Sequence, residues 1–324
     1  MRPVRTAFAG ALLGTLVLAG CGQAGTTATP SSAPASSAPS TSSNSSGEFP
    51  VTIEAGNGQV TIDKKPERIV SLSASHTETL FAVGAGSQVV AVDDQSNYPP
   101  EAPKTALSGF KPNVEAIVAE KPDLVVVSDD LNNIVAELGK VNVPVLVQPA
   151  ATTLDDTYEE IVEFGAATGN KAKAEEVVSG MKTALDKLVA EAPKDSKLTY
   201  YHELDQTPYA ATSETYIGQI YGLFGLTNIA DKAPASAGGY PKLSAEFVAQ
   251  ADPDLIFLAD VKCCGQSKET LAERPGWKNL SALKKDQVIQ LDDDIASRWG
   301  PRVVDLAEAI GAAVAKAGAG DGTS

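Results

Sequence analysis

One pattern occurs twice in this chain. Residues 114–130 read VEAIVAEKPDLVVVSDD and residues 245–261 read AEFVAQADPDLIFLADV. In each copy a glutamate, Glu115 or Glu246, is followed seven residues later by Pro-Asp-Leu and then by apolar residues. A short helix, a turn and a buried strand in the same order predict two lobes of one design. The rest of the chain agrees. RIVSL, QVVAV, DLVVVS and PVLVQ read as strands of a first lobe, and KLTYYHE, DLIFLAD and QVIQL as strands of a second. Helical segments lie between them, and strands alternating with helices imply mostly parallel sheets.

Local signals sharpen this reading. The run VTIEAGNGQVTID places a hairpin around Asn57-Gly58. Asn113 opens a short helix, and SHTETLFAVGAG reads as a helix with Ser75 and Glu78 as a capping box, closed by Gly84 or Gly86. A long proline-free stretch predicts helices from about 155 to 168 and from about 171 to 192. A last helix is expected from Pro301 to about Lys316.

The N-terminus constrains the compartment. Arg2 and Arg5 precede an uncharged apolar run from Ala7 to Ala19 that ends Leu-Ala-Gly-Cys. This reads as a secretory signal over residues 1–20, too short to be a comfortable membrane span. The stretch is similar to the lipobox of bacterial lipoproteins, which implies that Cys21 is lipidated and becomes the new N-terminus. Residues 22–47 carry no charge before the folded part begins near Glu48. They are rich in Ser, Thr, Pro and Ala and cannot bury enough apolar surface to offset their ordering entropy. Residues 21–47 are therefore expected to be a lipidated cysteine and a disordered tether, holding the protein outside the cytoplasm on the cell membrane.

Charge narrows the partners. The formal net charge is −15, and loss of Arg2 and Arg5 leaves 24 basic against 41 acidic side chains. That balance opposes nucleic-acid binding. There are three cysteines and two histidines, His76 and His202. With Cys21 lipidated, Cys263 and Cys264 have only each other as intramolecular partners. A tetrahedral zinc site needs further ligands, and no Cys-X-X-Cys motif is present, so no metal site and no cofactor is expected. Neighbouring Cα atoms lie about 3.8 Å apart, below the usual disulfide span of roughly 4.4–6.8 Å. A Cys263–Cys264 bond would be tight, and free or intermolecular thiols remain the alternative.

Taken with the lipobox, the stretches PERIVSLSASHTETLFAVGAG, SNYPPEA, KPNVEAIVAEKPDLVVVS and RPGWKNLSALKKDQVIQLD resemble the extracytoplasmic solute-binding proteins of ABC importers for iron complexes and vitamin B12. The resemblance covers nearly all of residues 50–318. It implies two Rossmann-like lobes with parallel-rich sheets, joined by a long rigid helix, with a ligand cleft between them. The lobes would be residues 48–154 and 194–318, the connecting helical region 155–193 and the tail 319–324. A rigid connection implies small lobe motion on binding.

SNYPPEA and DDIASRWGPR look most like the cobalamin-binding members. That likeness implies a corrinoid first, a ferric siderophore next and haem third, so that the ligand itself brings cobalt or iron. It implies ligand contacts from Tyr98, Tyr209 and Tyr240, from the polar pair Asp294 and Arg298, and from Trp299. Where Ser128 stands such binders carry tryptophan, and Tyr240 replaces a frequent tryptophan. His76, at the start of the first helix, is a further contact candidate, and His202 lies nearer the cleft floor or the core. Glu115 and Glu246 match the glutamates that meet arginines on an ABC permease, whose ATPase is cytoplasmic. The chain would act as a monomer and not as an enzyme. Two rivals are a two-lobed enzyme and a surface scavenger lipoprotein. No Gly-x-Ser-x-Gly elbow, phosphate loop or His-rich motif supports the first, and the paired glutamates oppose the second.

Overall fold

The computed structural model describes residues 49–193, 197–234 and 237–320. The signal segment, Cys21 and the tether lie outside the described residues, as does the end of the expected tail.

The first lobe holds β3 (Ile69–Ser71), β4 (Val89–Val92), β5 (Leu124–Val127) and β6 (Val145–Val147), hydrogen-bonded in the order β4-β3-β5-β6. The second holds β7 (Thr199–Glu203), β8 (Thr227–Asn228), β9 (Leu255–Leu258) and β10 (Val288–Gln290), in the order β10-β9-β7-β8. All these pairings are parallel. Counted within each lobe, both sheets run 2-1-3-4. The duplicated segment therefore marks a duplicated topology. Ile69 pairs with Leu124 in one lobe, and Tyr200 pairs with Leu255 in the other.

The repeat works identically in both places. Helices α2 (Val114–Ala119) and α7 (Ala245–Ala251) are capped by Asn113 and Ser244, which accept from the amides of Ala116 and Phe247. Each cap is worth roughly 1 kcal/mol. The residue before each proline, Lys121 or Asp252, takes a left-handed conformation with φ of 52° or 42°. The following aspartate then reaches the start of the lobe's first strand. Asp123 accepts from the amides of Glu67 and Arg68 at 2.9 Å, and Asp254 accepts from the amide of Thr199 at 2.9 Å.

A hairpin of β1 (Val51–Ala55) and β2 (Gly58–Ile62) covers the edge of the first sheet. The Gly56 amide donates to the Val147 carbonyl at 2.7 Å, and the Asn57 side chain bonds both Val145 and Val147. Edge pairing of β6 with other chains is thereby blocked.

Two antiparallel helices link the lobes, α4 (Leu154–Ala167) and α5 (Lys171–Glu191). They cross so closely that a Cβ on Gly165 would collide with that of Ala174. With 21 residues, α5 extends roughly 30 Å. The last helix, α12 (Val303–Gly320), packs on α5. One apolar cluster runs through both lobes and joins Ile69 and Leu124 to Phe164, Tyr221, Phe257 and Ile310. Close-packed interiors resist deformation, and this core is shared by both lobes. Among the described residues no helix is long and apolar enough to cross a membrane.

Candidate functional site

In an open parallel sheet, ligands bind beyond the carboxyl ends of the strands where the strand order reverses. Here those points lie between β3 and β5 and between β7 and β9. A cavity of about 350 Å³ opens at the first. Leu72 to Ser75 follow β3, Asp93 and Gln95 follow β4, and Ser128, Asp129 and Leu131 follow β5. Gly109 and Phe110 form one wall, and Asp294, Ser297, Arg298 and Trp299 approach from the second lobe's last segment. A Cβ on Gly109 would run into the Leu72 carbonyl oxygen. The glycine therefore lets this loop lie against the strand end and holds Phe110 at the rim. Phe110 is 75% exposed, the most open of the large apolar side chains among the described residues. Sequence reading missed it. The available signal was a lone aromatic just before the Lys-Pro-Asn that opens α2.

A charged seam runs beneath the cavity. Glu78 is buried in α1 (Ala74–Ala82) and accepts from Arg298 at 2.5 Å and from Arg302 at 2.6 and 2.8 Å. Arg298 also donates to Asn97 at 3.0 Å, to the Gln95 carbonyl at 3.0 Å and to Asp294 at 2.8 Å. Asp294 in turn accepts from Asn97 at 3.0 Å and from Lys262 at 3.2 Å, and Lys262 reaches Asp292 at 2.6 Å. The capping-box reading of Ser75 and Glu78 is thus corrected. The helix is capped at Ser73 with no side-chain bond, and both residues sit inside it. The Glu78 carboxylate bridges two guanidinium groups from the other end of the chain.

The expected contacts fall into three groups. Asp294, Arg298 and Trp299 line the cavity, and the pair forms at the i, i+4 spacing. Arg298 spends at least four donor contacts on the protein itself. Tyr209 and Tyr240 stand on the second lobe, 40% and 42% exposed, and the Tyr209 backbone bridges to Lys242. Tyr209 belongs to the loop after β7, one of the two strands at that lobe's own reversal point. Tyr98 is also part-exposed, but Arg302 stacks over its ring at 4.1 Å. It lines a separate depression with Phe81, Pro301 and Asp305.

His76 is a second correction. It is fully buried, with Nε2 3.0 Å from Glu160 and its ring between Phe164 and Trp299. Helix α4 covers it, so it packs the lobe junction and does not meet the cleft. His202 is also core. Its Nδ1 lies 2.8 Å from the Tyr221 hydroxyl, and burial pushes its pKa down to about 4.

Cys263 and Cys264 are joined to each other in α8 (Val261–Cys264), beyond β9, and both are exposed. Asp293 accepts from the amides of Val261, Lys262 and Cys263 and pins the turn. Behind it Asp260 is buried, and burial beside Glu203 pushes its carboxyl up to about 7. Arg274 makes a two-pronged bond to Glu203, 2.6 Å on each side. Among the described residues no three His, Cys, Asp or Glu side chains converge to hold a metal ion.

Residues 69–295 match the family model described as Periplasmic binding protein. The chain belongs to the periplasmic binding protein family. An uncharacterized ABC transporter substrate-binding lipoprotein of Bacillus subtilis is 30% identical over 318 residues, 94% of this chain and 96% of the relative. A cobalamin-binding protein of Halobacterium salinarum is 29% identical over 302 residues, 90% and 81% of the two chains. The periplasmic vitamin B12 binding protein of Vibrio cholerae superposes with a TM-score of 0.65 at 25% identity, covering 78% of this chain and 98% of that one.

Membership of the periplasmic binding protein family makes this chain an extracytoplasmic solute-binding protein that serves an ABC transporter. The family reading also gives the duplicated glutamates a context. Glu115 and Glu246 occupy the second position of α2 and α7, in matching places on the two lobes. A hydrogen bond from its own backbone amide, and then one from the Ser244 side chain, holds the Glu246 carboxyl below its ordinary range.

Proposed function

We propose that this protein captures a cobalamin-type corrinoid, with an iron chelate as the second choice, and delivers it to an ABC permease. One observation carries this reading: an open cavity at the strand-order reversal of one lobe, facing residues of the other. Phe110, Trp299 and Leu131 supply apolar surface there, while Ser73, Ser75, Ser128, Ser297 and Gln95 supply neutral hydrogen-bonding groups. Ligand sites of this class combine apolar walls with a few placed polar groups. The names of the Halobacterium and Vibrio relatives favour the corrinoid. Tyr209 and Tyr240 would close the ligand in from the second lobe, and the Cys263–Cys264 turn would form part of its wall.

In this reading Cys21 carries the lipid, and the protein acts as a monomer beside the permease. Glu115 and Glu246 meet basic groups on the permease, where such pairs set register and on-rate more than affinity.

The test is a titration of the purified protein with cobalamin, haem and ferric siderophores. Tryptophan fluorescence reports through Trp299, and visible absorption reports the metal centre. Saturable quenching by cobalamin at one equivalent is expected. Silence towards cobalamin with tight binding of a siderophore would overturn the corrinoid assignment.

A further inference from the structure

The charges on the cavity lining do not balance, and the imbalance is negative. In the seam, Arg298, Arg302 and Lys262 face Glu78, Asp292 and Asp294, three cations against three carboxylates within hydrogen-bond distance. Nothing positive is left over. No lysine lines the cavity, and its only guanidinium is the committed Arg298. Two further carboxylates remain on the lining, Asp93 and Asp129. Asp93 is buried, takes a hydrogen bond from Ser96 at 2.5 Å and has no cation beside it. Asp129 is exposed and forms no ion pair among the described residues.

An ionised carboxylate only accepts hydrogen bonds. Ligand groups that face Asp129 must therefore donate: carboxamide NH₂, hydroxyl or ammonium. A ligand carboxylate or catecholate there would meet like charge, which repels even in full solvent and more in a partly dry cleft. We propose that this cleft selects its ligand by charge, taking metal chelates that are neutral or positive and present N–H or O–H donors at their edge, and rejecting chelates fringed with carboxylates. This rests on the cleft being the ligand site, as proposed above. It narrows the ligand class to amide-fringed corrinoids and cationic hydroxamate chelates, against ferric citrate and haem with its propionates.

The experiment uses ligands of one shape and different charge. Cyanocobalamin is compared by calorimetry with its derivatives in which one or two peripheral amides are hydrolysed to carboxylates. Affinity is expected to fall roughly tenfold for each carboxylate, and less at high salt. Asp129→Asn removes the fixed charge and should narrow that gap, chiefly by raising affinity for the carboxylate forms. Equal or tighter binding of the carboxylate forms would overturn the charge rule.

A second pair separates this rule from the corrinoid assignment. If cyanocobalamin does not bind, cationic ferrioxamine B and anionic ferric citrate are titrated instead. Preference for ferrioxamine B keeps the charge rule and removes the corrinoid. Preference for ferric citrate removes the charge rule. Binding of none of these probes removes both.

Discussion

The two lobes share a topology and differ in what fills it. In register, Ile69, Val70 and Leu72 of the first lobe correspond to Tyr200, Tyr201 and Glu203 of the second. The first set is apolar and buried. The second is a hydrogen-bonded network: Tyr200 with Asn228 at 2.8 Å, Tyr201 with Glu203 at 3.0 Å, and Glu203 with Arg274. The same strand order thus tolerates two kinds of core. An apolar core is indifferent to pH. A buried polar core holds only while every member keeps its partner and its protonation state.

The largest difference between the lobes is expected from Glu203→Ala. It strands the Arg274 guanidinium, and removing one partner of a buried pair costs about 3–5 kcal/mol. Urea unfolding should show that loss, and a loss under 1 kcal/mol would deny the network its role. Leu72→Ala, at the matching place, should cost about 2–5 kcal/mol, with no change in pH profile.

Next are the twin clamps. Asp123→Ala and Asp254→Ala each leave strand-start amides without their acceptor, at about 1–3 kcal/mol. Similar losses are expected if the duplication is energetic as well as geometric, and a large difference would confine it to backbone trace.

The pH response follows from Asp260. Its carboxyl is raised to about 7 in the folded protein, against about 3.9 in an unfolded chain. Between those values the folded state holds a proton that the unfolded state has released. The contribution is complete below about pH 4 and is lost as pH rises through 7. Stability should therefore decline across that interval, and Asp260→Asn should flatten the decline. A profile unchanged by the substitution would contradict the assignment.

The smallest effect on folding belongs to Glu115→Ala and Glu246→Ala. Both are expected within about 0.5 kcal/mol of the parent, while the double variant loses cellular uptake with ligand affinity intact. Normal uptake by the double variant would remove the docking role.

What could be read from sequence divides along a physical line. Short-range grammar was legible: the Asn113 cap, the Pro-Asp-Leu turns, and the helices near 155–168 and 171–192, which the structure places within a residue or two. The repeat carried the lobe duplication. Features decided by distant partners were not legible. Glu78 looked like a capping residue because its neighbours in sequence permit one, yet its partner Arg298 lies 220 residues away. His76 has a helix-start address, and its burial depends on Phe164 and Trp299. Phe110 has no periodicity to mark it, and β8 contains only two residues. Of the expected cavity residues, Asp294, Arg298 and Trp299 reached the lining because one short segment carries all three. Tyr98, on a different loop, was drawn to Arg302.

The ligand is expected where the strand orders reverse, between the lobes. Hydrogen exchange with and without saturating cobalamin tests it most directly. Slower exchange is expected in residues 72–75, 109–110, 128–131 and 294–299, together with the loops around Tyr209 and Cys263 on the other lobe. Protection confined to the Tyr98–Asp305 depression, or no protection at either set of strand ends, would contradict it.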